Sequence, residues 1–192
     1  AQMYCRAGAA ALSVLTELDF FSGTIADLGE ARTLAAPQKV PVLQKDFVFD
    51  EYQVYEARAS GADAVLLIIA LLAPDRYRAL LELTHGLGMA ALVEVFDERE
   101  LDLALAENPQ IVGVNNRNLQ TLETSLSVFE SVGPRIPADI LAVAESGLKS
   151  LDDVRRMAAA GAKAVLVGEW LMKAGDRAGD LIKAMSRIEM QE

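Results

Sequence analysis

A repeated stretch decides the fold of this chain: residues 59–66 are ASGADAVL, and residues 159–166 are AAGAKAVL. In each copy a helix is expected to end at the glycine, where a left-handed backbone conformation is needed, and an apolar strand begins directly after it. A looser third copy, RAGAAAL, occupies residues 6–12 and predicts that residues 1–7 are the end of a helix. The repeat therefore indicates strand–helix units that follow one another along the chain.

Seven short apolar runs are predicted to be the strands of these units. They are nearly continuous in apolar residues, as is typical of parallel strands that are covered on both faces. Amphipathic helices are predicted between them, with Asp97 and Glu100 forming a capping box at the start of one helix and Ser150 at the start of another. The predicted strands are Leu12–Thr16, Val40–Lys45, Ala64–Ile69, Ala91–Val95, Ile111–Asn115, Ile140–Glu145 and Ala164–Gly168.

The number of strands favours a TIM (β/α)8 barrel, an α/β fold. Seven strands are visible, and one strand before residue 1 would make eight, so the sequence predicts a single barrel domain over residues 1–192 that is incomplete at its N-terminus. The alternative is an open, doubly wound sheet of seven strands. No Gly-x-Gly-x-x-Gly fingerprint follows any predicted strand, which weighs against that alternative.

Composition and charge narrow the classes of partner. The 192 residues are 52% hydrophobic and carry 18 basic against 28 acidic side chains, a formal net charge of −10. Nucleic acid and anionic membranes are therefore not expected as partners, because phosphate backbones require a basic surface. A small phosphorylated molecule is compatible with this charge, since main-chain N–H groups bind phosphate without net positive charge. The single cysteine, Cys5, and the single histidine, His85, argue against disulfides and Cys/His metal sites, and predict a reducing cytoplasm.

Polar side chains collect at the carboxyl ends of the predicted strands, where the loops of a barrel carry its chemistry. Lys45 ends the second predicted strand and is suited to protonating a carbonyl oxygen or holding an anion. Glu94 lies within an apolar run, which suits it to acid–base chemistry. A salt bridge between Lys45 and Glu94 is the purely structural alternative. The further polar or glycine candidates at strand ends are Thr16, Glu17, Asp46, Asn115, Asn116, Arg117, Glu145, Ser146, Gly147, Gly168 and Glu169.

Two groups among these residues indicate how a substrate would be held. Asn115 and Arg117 are suited to orienting a polar substrate, because an arginine binds a carboxylate through two hydrogen bonds. Anchoring of the loop is the alternative for Arg117. Gly147 and Gly168 follow the last two strands, where barrels commonly bind phosphate and where glycine lets an anion approach main-chain N–H groups.

The motifs at these strand ends resemble those of the indole-3-glycerol phosphate synthase family of tryptophan biosynthesis. The similar segments run in order from residue 1 to about residue 185, and the KDF, NNRNL and ESG motifs are specific in combination. The resemblance implies a TIM barrel without a cofactor, a carboxy-lyase that converts 1-(2-carboxyphenylamino)-1-deoxyribulose 5-phosphate into indole-3-glycerol phosphate, carbon dioxide and water. The segments are ALSVLTE (11–17), LQKDF (43–47), LVEV (92–95), GVNNRNL (113–119), AESG (144–147) and VGE (167–169).

The resemblance also assigns roles to residues by their positions. Lys45 matches the lysine that acts as general acid on the substrate ketone. Glu94 matches the glutamate that assists proton transfer or stabilises the cationic intermediate, and Asn115 matches an active-site amide. The residues matched to the ring walls and polar contacts of the substrate are Phe47, Arg117, Leu119, Glu145 and Ser146. Those matched to the phosphate site are Gly147, Gly168 and Glu169.

The chain departs from the family pattern at its start. The first strand of the family carries a Glu-x-Lys pair followed by a Ser-Pro-Ser loop, and neither this stretch nor the extra N-terminal helix of the family occurs in residues 1–192. The sequence therefore predicts an incomplete enzyme that binds its substrate weakly and turns it over slowly. The strands Leu12–Thr16 and Ala164–Gly168 would have unpaired edges, through which the chain could self-associate.

Two alternative functions are open at this point. Another phosphate-binding barrel enzyme, such as a phosphoribosyl isomerase, would share the last two loops but would not explain the motifs around Lys45 and Asn115. A non-catalytic barrel fragment would keep the fold without the chemistry, and substitution of Lys45 would then change nothing measurable.

Overall fold

The computed structural model describes residues 1–188, in which helices and strands alternate. The chain forms two compact units: the first is Ala1–Leu92, and the second begins at Val93 and includes the rest of the described chain. The unit boundary passes through the fourth strand. The single domain expected from the sequence stays a prediction.

The first unit contains three complete strands and the start of a fourth. Two of its helices, α2 and α3, begin at polar caps: the side chains of Thr24 and Asp50 each accept an N–H of the first turn and complete a capping box. The elements are α1 (Gln2–Arg6), β1 (Leu12–Leu15), α2 (Ile25–Ala35), β2 (Val42–Lys45), α3 (Glu51–Ala59), β3 (Ala64–Ile68), α4 (Pro74–Gly86) and β4 (Ala90–Val95), with short 3-10 turns at Ala36–Gln38 and Ile69–Leu71.

The second unit contains the end of β4 and three further strands. The Ser150 side chain accepts the N–H of Asp153 at 3.1 Å and begins a helix, as predicted. The elements are α5 (Glu98–Leu105), β5 (Ile111–Asn115), α6 (Ser127–Val132), β6 (Leu141–Glu145), α7 (Leu151–Ala159), β7 (Ala164–Leu166), α8 (Glu169–Ala174) and α9 (Ala178–Met185), with 3-10 turns at Gly133–Arg135 and Gly175–Arg177.

The seven strands of residues 1–188 follow chain order in the sheet, from β1 to β7. In the first unit β1, β2 and β3 pair in parallel, and Leu15 lies opposite Lys45. In the second unit β5, β6 and β7 pair in parallel, and Asn115 lies opposite Glu145. A doubly wound sheet places its first strand inside the strand order. The sequential order therefore contradicts the open-sheet alternative.

All seven predicted strands are present, with bounds that differ by at most two residues from those expected. The late starts of β2 and β6 arise where the backbone is already engaged in a turn. The N–H of Val40 donates to the carbonyl of Ala35 at 3.3 Å, and Pro41 has no N–H to offer a neighbouring strand. The N–H of Ile140 likewise donates to the carbonyl of Pro137, at 3.0 Å. Consequently β2 and β6 begin one or two residues later than the apolar pattern suggests.

The repeated stretch has the same geometry in both copies. Gly61 has a φ of +91° and Gly161 a φ of +98°, the left-handed conformation that favours glycine. The next N–H turns back to the preceding helix in each copy: Ala62 donates to Ala57 at 2.9 Å, and Ala162 donates to Met157 at 3.0 Å. The loose third copy also has a left-handed glycine, at residue 8. These turns end α1, α3 and α7 as the sequence predicts.

The predicted capping box at the start of α5 forms only in part. The Asp97 side chain accepts the N–H of Glu100 at 2.8 Å, but the Glu100 carboxylate accepts the N–H of Phe96 at 2.8 Å rather than that of Asp97. Burial raises the pKa of the Glu100 carboxyl, and the negative charges of Asp97 and Glu94 raise it further, against the bond from Phe96. Glu100 thus fixes the backbone that leaves β4.

Each unit has its own apolar core between strands and helices. Leu67, Tyr77 and Leu80 are almost fully buried in the first unit, and Phe129 and Met157 in the second. The three residues of β7 are all only half-buried, because β7 is the last strand in the sheet order. This position leaves the loop after β7 accessible.

Candidate active site

In the first unit, the predicted general acid lies at the end of a strand. Lys45 is the last residue of β2 and is half-buried. Phe47 follows two residues later and is also half-buried, and its ring contacts those of Phe20 and Phe21, with centroid separations of 6.4 and 6.3 Å. The predicted lysine therefore precedes by two residues a phenylalanine that belongs to a cluster of three aromatic rings.

The loop after β1 supplies two of these rings, a contribution that the sequence argument missed. The Glu17 carboxylate accepts three consecutive main-chain N–H groups, from Asp19 at 2.9 Å, Phe20 at 2.7 Å and Phe21 at 3.3 Å. The loop closes at Gly23, where a side-chain Cβ would lie 2.2 Å from the carbonyl oxygen of Leu15. Glu17 was a candidate by its place at a strand end, and the structure gives it the task of shaping this loop.

In the second unit, three buried polar side chains lie at the ends of β4, β5 and β6. Glu94, Asn115 and Glu145 are 3%, 7% and 1% exposed, which is unusual for groups of this polarity. Asn115 Nδ2 donates to Glu94 Oε1 at 2.9 Å, and Asn115 Oδ1 accepts the main-chain N–H of Arg117 at 3.0 Å. Both ends of the amide are thereby fixed. The structure brings together Glu94 and Asn115, as the strand-end argument expects.

The neighbouring asparagine has a structural task instead. Asn116 is fully buried, and its Nδ2 donates to the main-chain oxygens of Glu145 at 3.0 Å and Ser146 at 3.3 Å. Its Oδ1 accepts the N–H of Phe129 at 3.0 Å. Asn116 therefore ties the ends of β5 and β6 to the start of α6.

The turn after β6 is held in an uncommon backbone conformation. Ser146 and Gly147 have φ values of +64° and +79°. A Cβ at Gly147 would also lie 2.6 Å from the Thr124 side chain, so glycine is required there on both counts. Gly168 differs, because its φ is −113° and a Cβ added to it would meet no atom within 4 Å. A left-handed serine next to a predicted binding loop is typical of functional sites.

Charged side chains surround the predicted phosphate end. Lys173 Nζ lies 2.5 Å from Glu169 Oε1, and Arg117 Nη2 lies 3.7 Å from Glu169 Oε2. The hydrogen bond from Lys173 lowers the pKa of the Glu169 carboxyl most, and the positive charges of Lys173, Arg117 and Lys149 lower it further. Arg117 Nε is buried and has no hydrogen-bond partner within residues 1–188. Only the main-chain N–H of Glu169 suits a phosphate, because its side chain is itself an anion.

Two further residues are exposed, Leu119 on a loop and His85 on a helix. Leu119 is 40% exposed, in the loop that an isolated bridge between Arg117 and Thr124 closes. His85 is exposed in the last turn of α4.

Within residues 1–188, no three His, Cys, Asp or Glu side chains form a group that could hold a metal ion. In the same residues, no helix has the length and apolar character required to span a bilayer.

Comparisons with solved structures concern the fold alone. The chain superimposes on a thiamine phosphate pyrophosphorylase from Pyrococcus furiosus with a TM-score of 0.74 at 17% identity, covering 97% of this chain and 86% of the other. It superimposes on a 3-hexulose-6-phosphate synthase from Salmonella typhimurium with a TM-score of 0.74 at 15% identity, covering 91% and 85%. With the sequential strand order, these likenesses confirm a TIM-barrel fold of which seven strands lie in the described residues.

Comparisons of sequence are more specific. The indole-3-glycerol phosphate synthase of Dehalococcoides mccartyi is 46% identical over 185 residues, which cover 96% of this chain and 71% of that protein. The enzyme of the same name from Parafrankia sp. is 51% identical over 176 residues, covering 92% and 65%. These names do not favour the phosphoribosyl isomerase alternative. The family model described as indole-3-glycerol phosphate synthase matches residues 1–184, and the chain therefore belongs to that family of enzymes.

Proposed function

We propose that this chain catalyses the indole-3-glycerol phosphate synthase reaction as a carboxy-lyase. The substrate is 1-(2-carboxyphenylamino)-1-deoxyribulose 5-phosphate, and the products are indole-3-glycerol phosphate, carbon dioxide and water. The observation that carries the proposal is the family match, which includes every residue of the candidate site. The lone cysteine supports a reducing cytoplasm as the place of this reaction.

The proposed chemistry consists of bond changes that side chains can assist by moving protons. The aromatic carbon that bears the carboxylate attacks the ketone carbon, and the ketone oxygen takes up a proton as the new bond forms. The carboxylate then leaves as carbon dioxide, and the electron pair of its bond returns to the ring. Loss of the new hydroxyl as water, with a proton from the adjacent carbon, completes the indole. Ring closure and dehydration each require a positioned acid or base, loss of carbon dioxide transfers no proton, and no cofactor is needed.

Lys45 is the proposed general acid for ring closure. Its half-buried position at the end of β2 strengthens electrostatic interactions with the substrate while leaving the ammonium within reach of it. Phe47 and Leu119 are proposed as walls for the anilino ring. The aromatic contacts of Phe47 with Phe20 and Phe21 support such an apolar surface beside the lysine.

Glu94 is the proposed partner in proton transfer, or the group that stabilises the positive charge of the intermediate. The bond from Asn115 fixes one carboxylate oxygen of Glu94, so that the charge is pre-oriented in a buried place. Asn115 is proposed as a catalytic residue because it matches an active-site amide of the family, and it also positions Glu94. Arg117, Glu145 and Ser146 are proposed to make polar contacts with the substrate.

The phosphate is proposed to bind to main-chain N–H groups of Gly147, Gly168 and Glu169. The first N–H groups of a helix have no partner inside the helix, and Glu169 is the first residue of α8. The side chains of Arg117 and Lys173 supply positive charge beside them. The turn at Gly147 supports close approach of an anion, because no Cβ covers its N–H.

The test follows the fluorescence of the indole product after the anilino-deoxyribulose phosphate is added to the purified chain. Lys45→Met keeps the length of the side chain and removes its proton, and Glu94→Gln keeps the acceptor for Asn115 and removes the charge. Each variant is expected to lower kcat by about 100-fold or more, the usual contribution of a general acid or base. Lys183→Met, on the exposed face of α9, is the matched control and is expected to act like the parent chain.

The outcomes separate the proposal from its alternatives. Turnover by the parent chain that Lys45→Met abolishes and Lys183→Met preserves would support the synthase. Turnover that all three variants share would assign the chemistry to other residues and overturn the proposed roles. Absence of turnover in the parent chain, at substrate concentrations that saturate a full-length relative, would leave a non-catalytic member of the family.

A further inference from the structure

The hydroxyl of Thr16 connects two side chains that flank Lys45 in the sequence. Thr16 follows β1 and is 8% exposed, and Gln44 in β2 is 2% exposed. Gln44 Nε2 lies 3.0 Å from Thr16 Oγ1, and Thr16 Oγ1 lies 2.5 Å from Asp46 Oδ2. The residues on both sides of Lys45 are therefore held by one atom of the neighbouring strand.

Elementary hydrogen-bond chemistry fixes the direction of this chain of contacts. A carboxylate only accepts, so Asp46 must receive the single proton of the Thr16 hydroxyl. Thr16 Oγ1 must then accept from Gln44, which requires the Nε2 end of that amide to face it. Asp46 Oδ1 in turn accepts the main-chain N–H of Phe47 at 2.7 Å. Donation therefore runs from Gln44 through Thr16 to Asp46, and each bond polarises the next.

The Gln44 side chain is buried at a cost in free energy, which indicates that its contact with Thr16 has a function. Gln44 Oε1 is buried and has no hydrogen-bond partner within residues 1–188. A buried, unsatisfied carbonyl oxygen destabilises the folded chain, and an apolar residue at this position would avoid that cost. In the part of the chain that the structure describes, the contact with Thr16 is the one polar interaction of the Gln44 side chain, and it offsets part of the cost.

The backbone of β2 connects the contacts of Thr16 to the position of Lys45. Side chains alternate between the two faces of a strand, so Gln44 and Lys45 lie on opposite faces of β2. The N–H of Thr16 also donates to the carbonyl of Lys45, at 3.4 Å. The two side-chain contacts with Thr16 thus hold Gln44 and Asp46 on one face of the strand, the main-chain bond holds the carbonyl of Lys45, and the Lys45 side chain leaves the strand on the opposite face.

We propose that Thr16 is a positioning residue for Lys45, with Gln44 and Asp46 as the two arms through which it acts. This inference rests on the proposed function, in which Lys45 delivers a proton to the ketone oxygen. Thr16 itself does not touch the substrate. The Thr16 hydroxyl fixes the position and direction of the Lys45 side chain at the end of β2. Removal of the hydroxyl therefore affects the rate of proton delivery rather than the binding of the substrate.

The test compares Thr16→Val with Thr16→Ser and with a matched control. Displacement of a catalytic group by about 1 Å costs about 100-fold in rate, so Thr16→Val is expected to lower kcat by about 10- to 100-fold, with KM changed by less than about 3-fold. Thr16→Ser restores the hydroxyl and is expected to restore kcat. Thr84→Val is the control, because Thr84 is also buried and donates to the main-chain oxygen of Leu80 at 2.7 Å, within α4.

A second measurement reports on the contact without turnover: the exchange of the Phe47 amide hydrogen, followed by NMR. Thr16→Val is expected to speed this exchange by about 10-fold or more, relative to Thr84→Val, if loss of the hydroxyl frees Asp46. A kcat for Thr16→Val that equals that of Thr84→Val, or that Thr16→Ser fails to restore, would overturn the proposal.

The two measurements also separate this inference from the proposed function. If the parent chain shows no turnover, the proposed function fails, and the exchange measurement decides the contact alone. Unchanged exchange of the Phe47 amide in Thr16→Val would then overturn the role of Thr16 in holding residues 44–46.

Discussion

At the scale of the residue, Glu169 combines two properties that oppose each other. Its main-chain N–H belongs to the proposed phosphate site, and its carboxylate, held by Lys173, places a negative charge beside the same site. The Glu169 carboxylate forms ion pairs with Lys173 and Arg117, and it thereby partly neutralises two positive charges that could otherwise bind a phosphate. The carboxylate therefore competes with the phosphate for these cations.

Replacement of Glu169 by Gln is expected to tighten the binding of inorganic phosphate, measured as a competitive inhibitor, by about 3- to 10-fold at low salt. The pKa of the Glu169 carboxyl is lowered, so the parent stays ionised below the ordinary carboxyl range. The difference between parent and variant should thus persist to pH 5 and vanish only in stronger acid. High salt should reduce it.

Glu30→Gln is the control for net charge, because it removes one exposed carboxylate from α2. Equal effects of Glu30→Gln and Glu169→Gln on phosphate binding would assign the gain to overall charge and contradict the local explanation.

At the scale of the element, the start of α5 carries a carboxylate whose ionisation is unfavourable in the folded chain. Burial raises the pKa of Glu100, so the folded state prefers its protonated form. The stabilisation from that preference is present below the ordinary carboxyl pKa and is lost as the pH rises through the raised value. At neutral pH the charged Glu100 therefore lowers the free energy of unfolding.

Glu100→Gln removes this charge and keeps an oxygen to accept the N–H of Phe96. The expected result at pH 7 is a Tm higher by about 1–2 °C, which corresponds to roughly 0.5 kcal/mol for a chain of this size. The gain should shrink as the pH falls and disappear near pH 3, where the parent is also uncharged. Thermal unfolding of both proteins across this range is the measurement. A gain that is constant with pH would rule out ionisation as its cause.

Most of the elements could be predicted from the sequence because their signals are local. The strands are continuous apolar runs, and the helix ends at Gly61 and Gly161 follow from the left-handed turn that glycine favours. The ends of the strands were less certain, since Val40 and Ile140 are apolar but already donate to carbonyls in turns. The pattern of apolar residues does not show which backbone N–H groups already donate hydrogen bonds in a turn.

The candidate site was predictable only where a charged or polar side chain, or a glycine, stood at a strand end. Lys45, Glu94 and Asn115 were found in this way, and their roles stay predictions. The contact of Thr16 with Gln44 and Asp46 joins residues that are 28 and 30 positions apart, so it depends on strand register, which one sequence does not specify. The task of Glu17 in shaping its loop was missed for a different reason, because a carboxylate that accepts three main-chain N–H groups has no distinctive spacing.

At the scale of the whole molecule, the sheet order ends at β1 and β7 in the described residues. Leu15 on β1 is 41% exposed, and an apolar side chain on an edge strand favours pairing with another chain. We predict that the chain self-associates at this edge, against the repulsion of its net charge of −10. Salt screens that repulsion, so association should increase with ionic strength.

Sedimentation velocity at low and high salt measures this association. Leu15→Lys is expected to reduce it, because a charged side chain on an edge strand opposes pairing. Leu103→Lys is the matched control, since Leu103 is 42% exposed but lies on α5. An equal reduction by both variants would attribute the association to general hydrophobic contact rather than to the edge of β1.

The agreement between the two copies of the repeat extends to the strand ends. α3 and α7 occupy residues 51–59 and 151–159, and the N–H groups of Asp63 and Lys163 donate to Val42 and Ala142 at 2.8 and 2.9 Å. In that numbering Lys45 corresponds to Glu145, the last residues of β2 and β6. The same backbone position thus carries an amine side chain in one unit and a carboxyl side chain in the other. The fold fixes where the side chain is placed, and the residue type at that position decides whether it is basic or acidic.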